Sequence, residues 1–150
     1  MRTEKRLEIS LAIIRISTAI FLLVWSTGKL LAPALTQNIF SKFYFSEISL
    51  VMSYAVGVLQ TILVLLFLVG LYKTFSYGVV LGMHSVSVLS TYEKLFNPYY
   101  PPNILFWAGV PVLAGLVALF LLRDHDHWLT LQWRAFTSSN SIKSHPHSLH

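Results

Sequence analysis

Two positive charges lie inside the first long apolar segment of this chain, where lipid would disfavour them. Arg15 lies early in the segment, and Lys29 lies near its end, within the sequence WSTGKLL. A charged side chain at the centre of a bilayer costs about 2.5–3.5 kcal/mol on insertion scales, so each cation needs solvation or a partner. The two cations therefore mark the region where a functional site is sought first.

Polar side chains also interrupt the other apolar segments. At 100° per residue, Arg15 and Lys29 fall on one side of the first helix, and Tyr77 and His84 share one side of the third. The amide of Gln60, in the second apolar segment, needs a partner in a medium of low dielectric constant. The candidate contacts for a quinone or a lipid headgroup are Lys29, Gln60, His84, Trp25 and Trp107.

Each of these polar residues also has a purely structural interpretation. Lys29 and Arg15 can extend their charges to the nearest headgroup layer, or they can point into the protein, with Glu93 as a partner for Lys29 at the outer rim. His84 can be a neutral imidazole that hydrogen-bonds to a neighbouring helix, or it can serve a quinone carbonyl or a proton relay.

The sequence offers no catalytic constellation and no metal signature. The run RDHDH after Leu122 places two histidines at i and i+2, which diverge on a helix and make a poor metal site. The chain has no cysteine, so thiolate nucleophiles, thiolate metal sites and disulfides are excluded. Redox chemistry would therefore require a bound cofactor, and quinone is the one considered.

Composition places the chain in a membrane. Of 150 residues, 55% are hydrophobic and only 11% are charged, and the mean hydropathy of +0.62 is too high for an ordinary soluble domain. The net charge of +5 is dispersed around the apolar segments. Anionic lipid headgroups are therefore the expected partner, and nucleic acid is not.

Four apolar segments are each long enough to cross a bilayer as a helix. The expected fold class is all-α, an integral membrane four-helix bundle, because backbone groups in lipid must be paired within each segment. The predicted helices cover about 9–32, 48–70, 76–95 and 104–122 of one domain, 1–136. Interfacial segments are expected at about 33–47 and 124–136, and a disordered polar tail at 137–150.

The basic residues predict the orientation in the membrane. Two lysines, Lys42 and Lys94, fall in the connections on one side, and seven basic residues fall on the other. Lysine and arginine are enriched in cytoplasmic loops, so both termini are expected in the cytoplasm, with the bacterial inner membrane as the location. The seven are Arg2, Lys5, Arg6, Lys73, Arg123, Arg134 and Lys143.

The chain resembles the DoxX-like family of small four-helix membrane proteins, which includes the DoxD and MauE relatives. The resemblance is carried by Arg15, by TGKLLAP at the end of the first helix, by GVLQTILVLLFLVGLYK in the second and by GMHSVSVLSTYEKL in the third. Family members often have a glutamate where Gln60 stands, so a charged site is not carried over. The resemblance implies subunits of quinone-linked oxidoreductases or helpers in enzyme maturation.

Three functions are expected in order of preference. The first is a non-catalytic accessory or assembly subunit beside a larger membrane enzyme. The expected protein partner is a larger membrane complex or, failing that, further copies of the chain in a homo-oligomer. The second is a quinone-binding subunit of an oxidoreductase. The third, transport of a small solute, is disfavoured because the chain has neither an inverted repeat nor a pair of discontinuous helices.

Overall fold

The computed structural model describes residues 1–44, 47–100 and 103–131, and the regular structure within these ranges is entirely helical. The predicted tail at 137–150 and the last part of the predicted interfacial segment lie outside the described residues. Two short 3-10 helices cover Ile104–Ala108 and Arg123–His125. The α-helices are α1 (Thr3–Leu31), α2 (Pro33–Phe43), α3 (Leu50–Val69), α4 (Lys73–Ser90), α5 (Tyr92–Phe96) and α6 (Gly109–Leu121).

Within the described residues, three helical stretches are long and apolar enough to cross a membrane. They are α1, α3 and the continuous stretch Ile104–Leu121, which joins the first 3-10 helix to α6. Large apolar side chains on their outer faces are exposed, as lipid-facing side chains of a membrane protein would be. Examples are Ile13, Ile20 and Val24 on α1, Val51 and Leu59 on α3, and Leu121 on α6.

The four long helices α1, α3, α4 and α6 pack around one core. Helix α1 contacts α3 and α6, and α4 contacts the same two helices. Neighbours run antiparallel, since Gly57 of α3 lies beside Lys29 whereas Leu68 of α3 lies beside Arg15. The buried core residues are Leu11, Ala19, Val64, Phe67, Tyr77, Val80, Leu116 and Leu119.

Helix α4 is shorter than the predicted third span at 76–95. It ends at Ser90, and Thr91 separates it from the five-residue α5. The hydroxyl of Thr91 donates to the carbonyl of Val88 at 2.9 Å, so this side chain competes for backbone groups at the helix end. Four serines, Lys73 and His84 lower the apolar content of α4, which is not among the three candidate spans found in the described residues.

Local sequence explains where the other helices begin. Pro33 occupies the first turn of α2, and Pro111 occupies the first turn of α6, where a missing amide donor costs little. Ser49 caps α3, because its hydroxyl accepts a hydrogen bond from the amide of Met52 at 3.2 Å. Helix α1 starts at Thr3, ahead of the apolar segment, with Glu4 in its first turn.

Helices α1 and α3 approach each other closely at Gly57. A Cβ atom at this position would lie 2.9 Å from a Leu30 methyl carbon and 3.0 Å from the Lys29 Cβ. No larger residue fits without moving one helix, as at the small-residue contacts common between membrane helices. The contact fixes Lys29 against α3 at one end of the protein.

Candidate functional site

The carboxyl end of α3 is fully satisfied by contacts that converge on it from other parts of the chain. Gly70 adopts a left-handed conformation with φ of 71°, so the Gly70 and Leu71 amides reach back to the Phe67 and Leu66 carbonyls, both at 3.1 Å. The remaining two carbonyls, of Leu68 and Val69, have partners outside the helix.

The Leu68 carbonyl accepts a hydrogen bond at 3.0 Å from Nε of Arg15, which is fully buried. The other guanidinium nitrogens of Arg15 donate to the side chain of Asp126 and to the carbonyls of Trp128 and Leu129, the latter two at 2.8 and 3.0 Å. Four of the five N–H donors of an arginine therefore have partners. The positive charge also lies at the negative end of the α3 dipole.

Asp126 completes this cluster. One carboxylate oxygen pairs with the Arg15 guanidinium, and the other accepts a hydrogen bond of 2.5 Å from the hydroxyl of Tyr77. The ammonium of Lys73 donates to the backbone carbonyl of Asp126. We call Arg15, Lys73, Tyr77 and Asp126 the Arg15 cluster; Arg15, Tyr77 and Asp126 are all fully buried.

Residues 126–131, here called the strap, close this end of the protein. The amide of Leu131 donates to the Val69 carbonyl at 2.8 Å, and Thr130 lies over Gly70, where an added Cβ would be 2.7 Å from the Thr130 methyl. Leu129 has φ of 53°, which turns the chain across the Arg15 side chain. The strap is therefore held by backbone and charged contacts at almost every residue.

His84, one of the predicted site residues, is buried and engaged with a backbone group. Its Nε2 atom lies 2.8 Å from the carbonyl of Gly109, where the 3-10 helix passes into α6, and the ring of Phe21 approaches it edge-on at 6.3 Å. A carbonyl oxygen has two lone pairs, so this carbonyl at the start of α6 can accept from the imidazole as well as from the helix. This geometry is that of a histidine that joins two helices.

Lys29 lies against α3 at Gly57, and Gln60 lies about one turn further along α3. The side chains of these two residues have different contacts. The Gln60 amide nitrogen is 3.9 Å from the sulfur of Met83 on α4, which is a weak contact. The Lys29 side chain is half-buried, and its ammonium has no hydrogen-bond or ion-pair partner among the described residues. Within those residues, no hydrogen bond joins any two of Lys29, Gln60 and His84.

The two predicted tryptophans have different surroundings. Trp25 is 53% exposed on α1, one turn before Lys29, whereas Trp107 donates from its indole nitrogen to the Leu95 carbonyl at 3.1 Å. Glu93, considered as a partner for Lys29, accepts a hydrogen bond from the Tyr92 hydroxyl at 3.3 Å and forms no ion pair with that lysine. Among the described residues, no hydrogen bond joins any two of the five predicted contacts, and a shared ligand site for them stays a prediction.

Asp126 is not among the predicted partners of Arg15. The prediction considers acidic side chains within the apolar segments, and Asp126 lies just beyond the fourth. A signal was present, because the predicted topology places Arg15 and the end of the fourth helix at the same membrane boundary. Tyr77 was placed correctly on a polar face of its helix, but its bond to Asp126 requires the strap to fold back.

The donors of the Arg15 cluster can bind an anion and hold the strap in place, but the side chains of the cluster do not form a metal site. Within residues 1–44, 47–100 and 103–131, no three His, Asp or Glu side chains come close enough to hold a metal ion. The donors of the cluster, a guanidinium fork and a phenol hydroxyl, match the two oxygens of a carboxylate. Recognition of a carboxylate is therefore the chemistry that this geometry provides.

Comparisons with protein-family models, with curated proteins and with solved structures find no match to this chain. A function must therefore be inferred from the chain's own residues.

Proposed function

We propose that the chain is an integral membrane protein in which α1, α3, α4 and the stretch Ile104–Leu121 form a four-helix bundle with both termini in the cytoplasm. Three of these helices are apolar enough to span a membrane, and α4 packs between two of them. The orientation rests on the excess of basic residues on the side of the termini. A bacterial inner membrane fits this arrangement.

The absence of cysteine from the sequence allows a clean test of this topology. Single cysteines replace Tyr100, which is 90% exposed, and Asp124, which lies at the opposite end. In intact cells, a membrane-impermeant maleimide should label Tyr100→Cys only, whereas Asp124→Cys should react only after the cells are broken. The reverse labelling pattern would overturn the proposed orientation.

The biochemical role that the geometry supports best is that of a non-catalytic accessory or assembly subunit of a larger membrane enzyme. One observation carries this proposal: the buried polar groups of the Arg15 cluster and His84 are used in bonds within the chain. Large apolar residues on the outer helix faces are exposed and available for helix association. The resemblance to DoxX-like proteins favours the same role.

The accessory role is tested by gentle solubilisation of membranes that contain the tagged chain at its native abundance. We expect a larger membrane complex to co-purify, identified by mass spectrometry of its proteins. Substituting Val24→Ser on the exposed face of α1 should weaken that association, whereas Thr74→Ser near the start of α4 should not. A lone monomer, or a homo-oligomer without other proteins, would contradict the accessory role.

Lys29 favours a second function, that of a quinone-binding subunit. Its ammonium is a hydrogen-bond donor with no partner among the described residues, and Trp25 lies four residues earlier on the same side of α1. A donor beside an exposed aromatic ring suits a carbonyl-bearing ring ligand. The polar side-chain atoms of the other three predicted contacts, Gln60, His84 and Trp107, contact Met83, Gly109 and Leu95. The quinone-binding alternative therefore keeps Trp25 and Lys29 as its ligand contacts.

The alternative predicts that quinone extracted from the purified protein falls in the Lys29→Met variant. Lys94→Met, which changes another lysine near the same end of the protein, is the matched control and should retain the wild-type amount. Equal quinone in Lys29→Met and wild type, measured per mole of protein, would remove Lys29 from the account.

A further inference from the structure

Asp126 is held as a bound ligand would be held. Its carboxylate oxygens pair with Arg15 of α1 and with Tyr77 of α4, and both donors belong to the helices. The acceptor belongs to the strap, which follows the last helix in the chain. The helices therefore build an anion-binding site, and the strap supplies the anion.

Two of the donors also have contacts outside the strap. Arg15 Nε is anchored on the Leu68 carbonyl, and the Tyr77 ring packs against Phe67 with the ring centroids 5.0 Å apart. Lys73 donates to the backbone carbonyl of Asp126, so a second positive charge lies beside the site. The contacts with Leu68 and Phe67 hold the guanidinium and the phenol in place for a carboxylate when Asp126 leaves.

Residues 126–131 cover this site mainly through polar contacts and bury little apolar surface within the chain. Asp126 is the single buried residue of the strap, whereas Trp128, Leu129 and Leu131 are 42%, 62% and 60% exposed. Asp124 and His125, just before the strap, are exposed as well. Because hydrogen bonds and one ion pair hold the strap and little apolar surface is buried, a competing polar ligand can displace it.

We infer that Arg15, Lys73 and Tyr77 form a carboxylate-binding site that Asp126 fills from within the chain. A small carboxylate from outside occupies the same site when the strap lifts. The strap is then an internal competitor, and binding of the external carboxylate releases residues 126–131 from α3. This inference does not depend on either proposed function.

The test uses the full-length Asp126→Ala variant in detergent, with acetate as the probe. Acetate corresponds to the whole Asp126 side chain, of which the substitution removes the carboxylate group. We expect Asp126→Ala to melt at a lower temperature than wild type, and acetate to raise that melting temperature in a saturable manner, as a ligand that binds only the folded state must. Chloride at the same ionic strength and neutral acetamide should have little effect.

Two control variants distinguish this site from a general salt effect. Adding Tyr77→Phe to Asp126→Ala removes one donor and should weaken the response to acetate several-fold. Asp124→Ala, two residues away and exposed, should melt near the wild-type temperature and should not respond to acetate. A folded Asp126→Ala variant that responds equally to acetate and chloride would overturn the inference.

If Asp126→Ala does not fold, Asp126→Asn keeps the side-chain volume and gives a second measurement. Hydrogen exchange of the Leu131 amide, which binds the Val69 carbonyl, reports whether the strap is seated. We expect acetate to speed this exchange several-fold in Asp126→Asn relative to chloride, with the amides in the middle of α3 unchanged. Equal exchange in acetate and chloride would overturn the inference.

Discussion

Two cations on α1 have different surroundings. Near the middle of the helix, the guanidinium of Arg15 is fully buried and makes four hydrogen bonds, including a pair with Asp126. In the last turn, about 21 Å along the helix, the ammonium of Lys29 is half-buried with no partner among the described residues. The fold therefore uses the hydrogen-bond donors of Arg15 but not those of Lys29.

Side-chain chemistry explains the difference. Arginine presents five donors in a planar fork and can bind a carboxylate and several carbonyls together, whereas lysine is a compact charge on a flexible stem. Lys29 also lies at the carboxyl end of α1, where a positive charge is favoured by the helix dipole without a specific partner. Arg15 is therefore expected to contribute strongly to stability, and Lys29 is expected to contribute little.

The largest expected effect is that of Arg15→Met. Removing one partner of a buried ion pair costs about 3–5 kcal/mol, because the remaining charge stays buried. The free energy of unfolding, measured by titrating dodecyl maltoside micelles with sodium dodecyl sulfate, should fall by that amount. Arg6→Met, at an exposed position of the same helix, is the matched control and should change it little.

Arg15→Lys sharpens the same experiment. Lysine keeps the charge but has too few donors, on a single atom, to serve Leu68, Asp126 and the strap carbonyls together. It should be less stable than wild type and more stable than Arg15→Met. If the stability of Arg15→Lys matched that of wild type, charge alone would explain the contribution of Arg15 to stability, and its hydrogen-bond geometry would be irrelevant.

The sequence predicts part of this arrangement. Helical spacing places Arg15 on a polar side of the first helix and Tyr77 and His84 on one side of the third, without deciding whether those sides face inward. The structure buries all three. Asp126 could not be assigned in the same way, because its pairing with Arg15 spans 111 positions and depends on the backbone turns at Gly70 and Leu129. Glycine is a local signal for the first turn, whereas the turn at Leu129 is set by tertiary contacts, which no local pattern records.

The fold shows the same division between local and tertiary information. Apolar length predicts four stretches able to span a membrane. Among the described residues, three helical stretches are long and apolar enough to do so, and the regular structure is entirely helical. The partner of His84 could not be predicted, since the Gly109 carbonyl reaches the imidazole only through the packing of α4 against α6. Residue types therefore predict polar sides on the helices, but they do not predict the backbone atoms that these side chains contact.

Tyr77→Phe is expected to have the second largest effect. It removes the hydroxyl that donates to Asp126 at 2.5 Å while keeping the ring against Phe67. A hydrogen bond to a charged group contributes about 1.5–3 kcal/mol, so the free energy of unfolding should fall within that range. Tyr72→Phe, at a residue that is 72% exposed, serves as the control and should be neutral.

Gly70→Ala tests the strap through its other attachment. An L-residue in the left-handed conformation costs about 1–2 kcal/mol, and the added methyl would meet Thr130 at 2.7 Å. The free energy of unfolding should fall by about that amount, and hydrogen exchange at Leu131 should become faster. Gly82→Ala, where an added Cβ has no neighbour within 4 Å, should be neutral or slightly stabilising.

The smallest expected effect on stability is that of Lys29→Met, which completes the comparison of Lys29 with Arg15. The substitution removes no hydrogen bond or ion pair and keeps a long stem to pack beside Gly57, so the free energy of unfolding should change by no more than about 0.5 kcal/mol. A loss comparable to that of Arg15→Met would mean that Lys29 is also part of the fold. Unchanged stability with a loss of bound quinone or anionic lipid, quantified by mass spectrometry of the purified protein, would assign the two cations separate tasks. Because both lie on one helix, that result could not be attributed to a difference in membrane insertion.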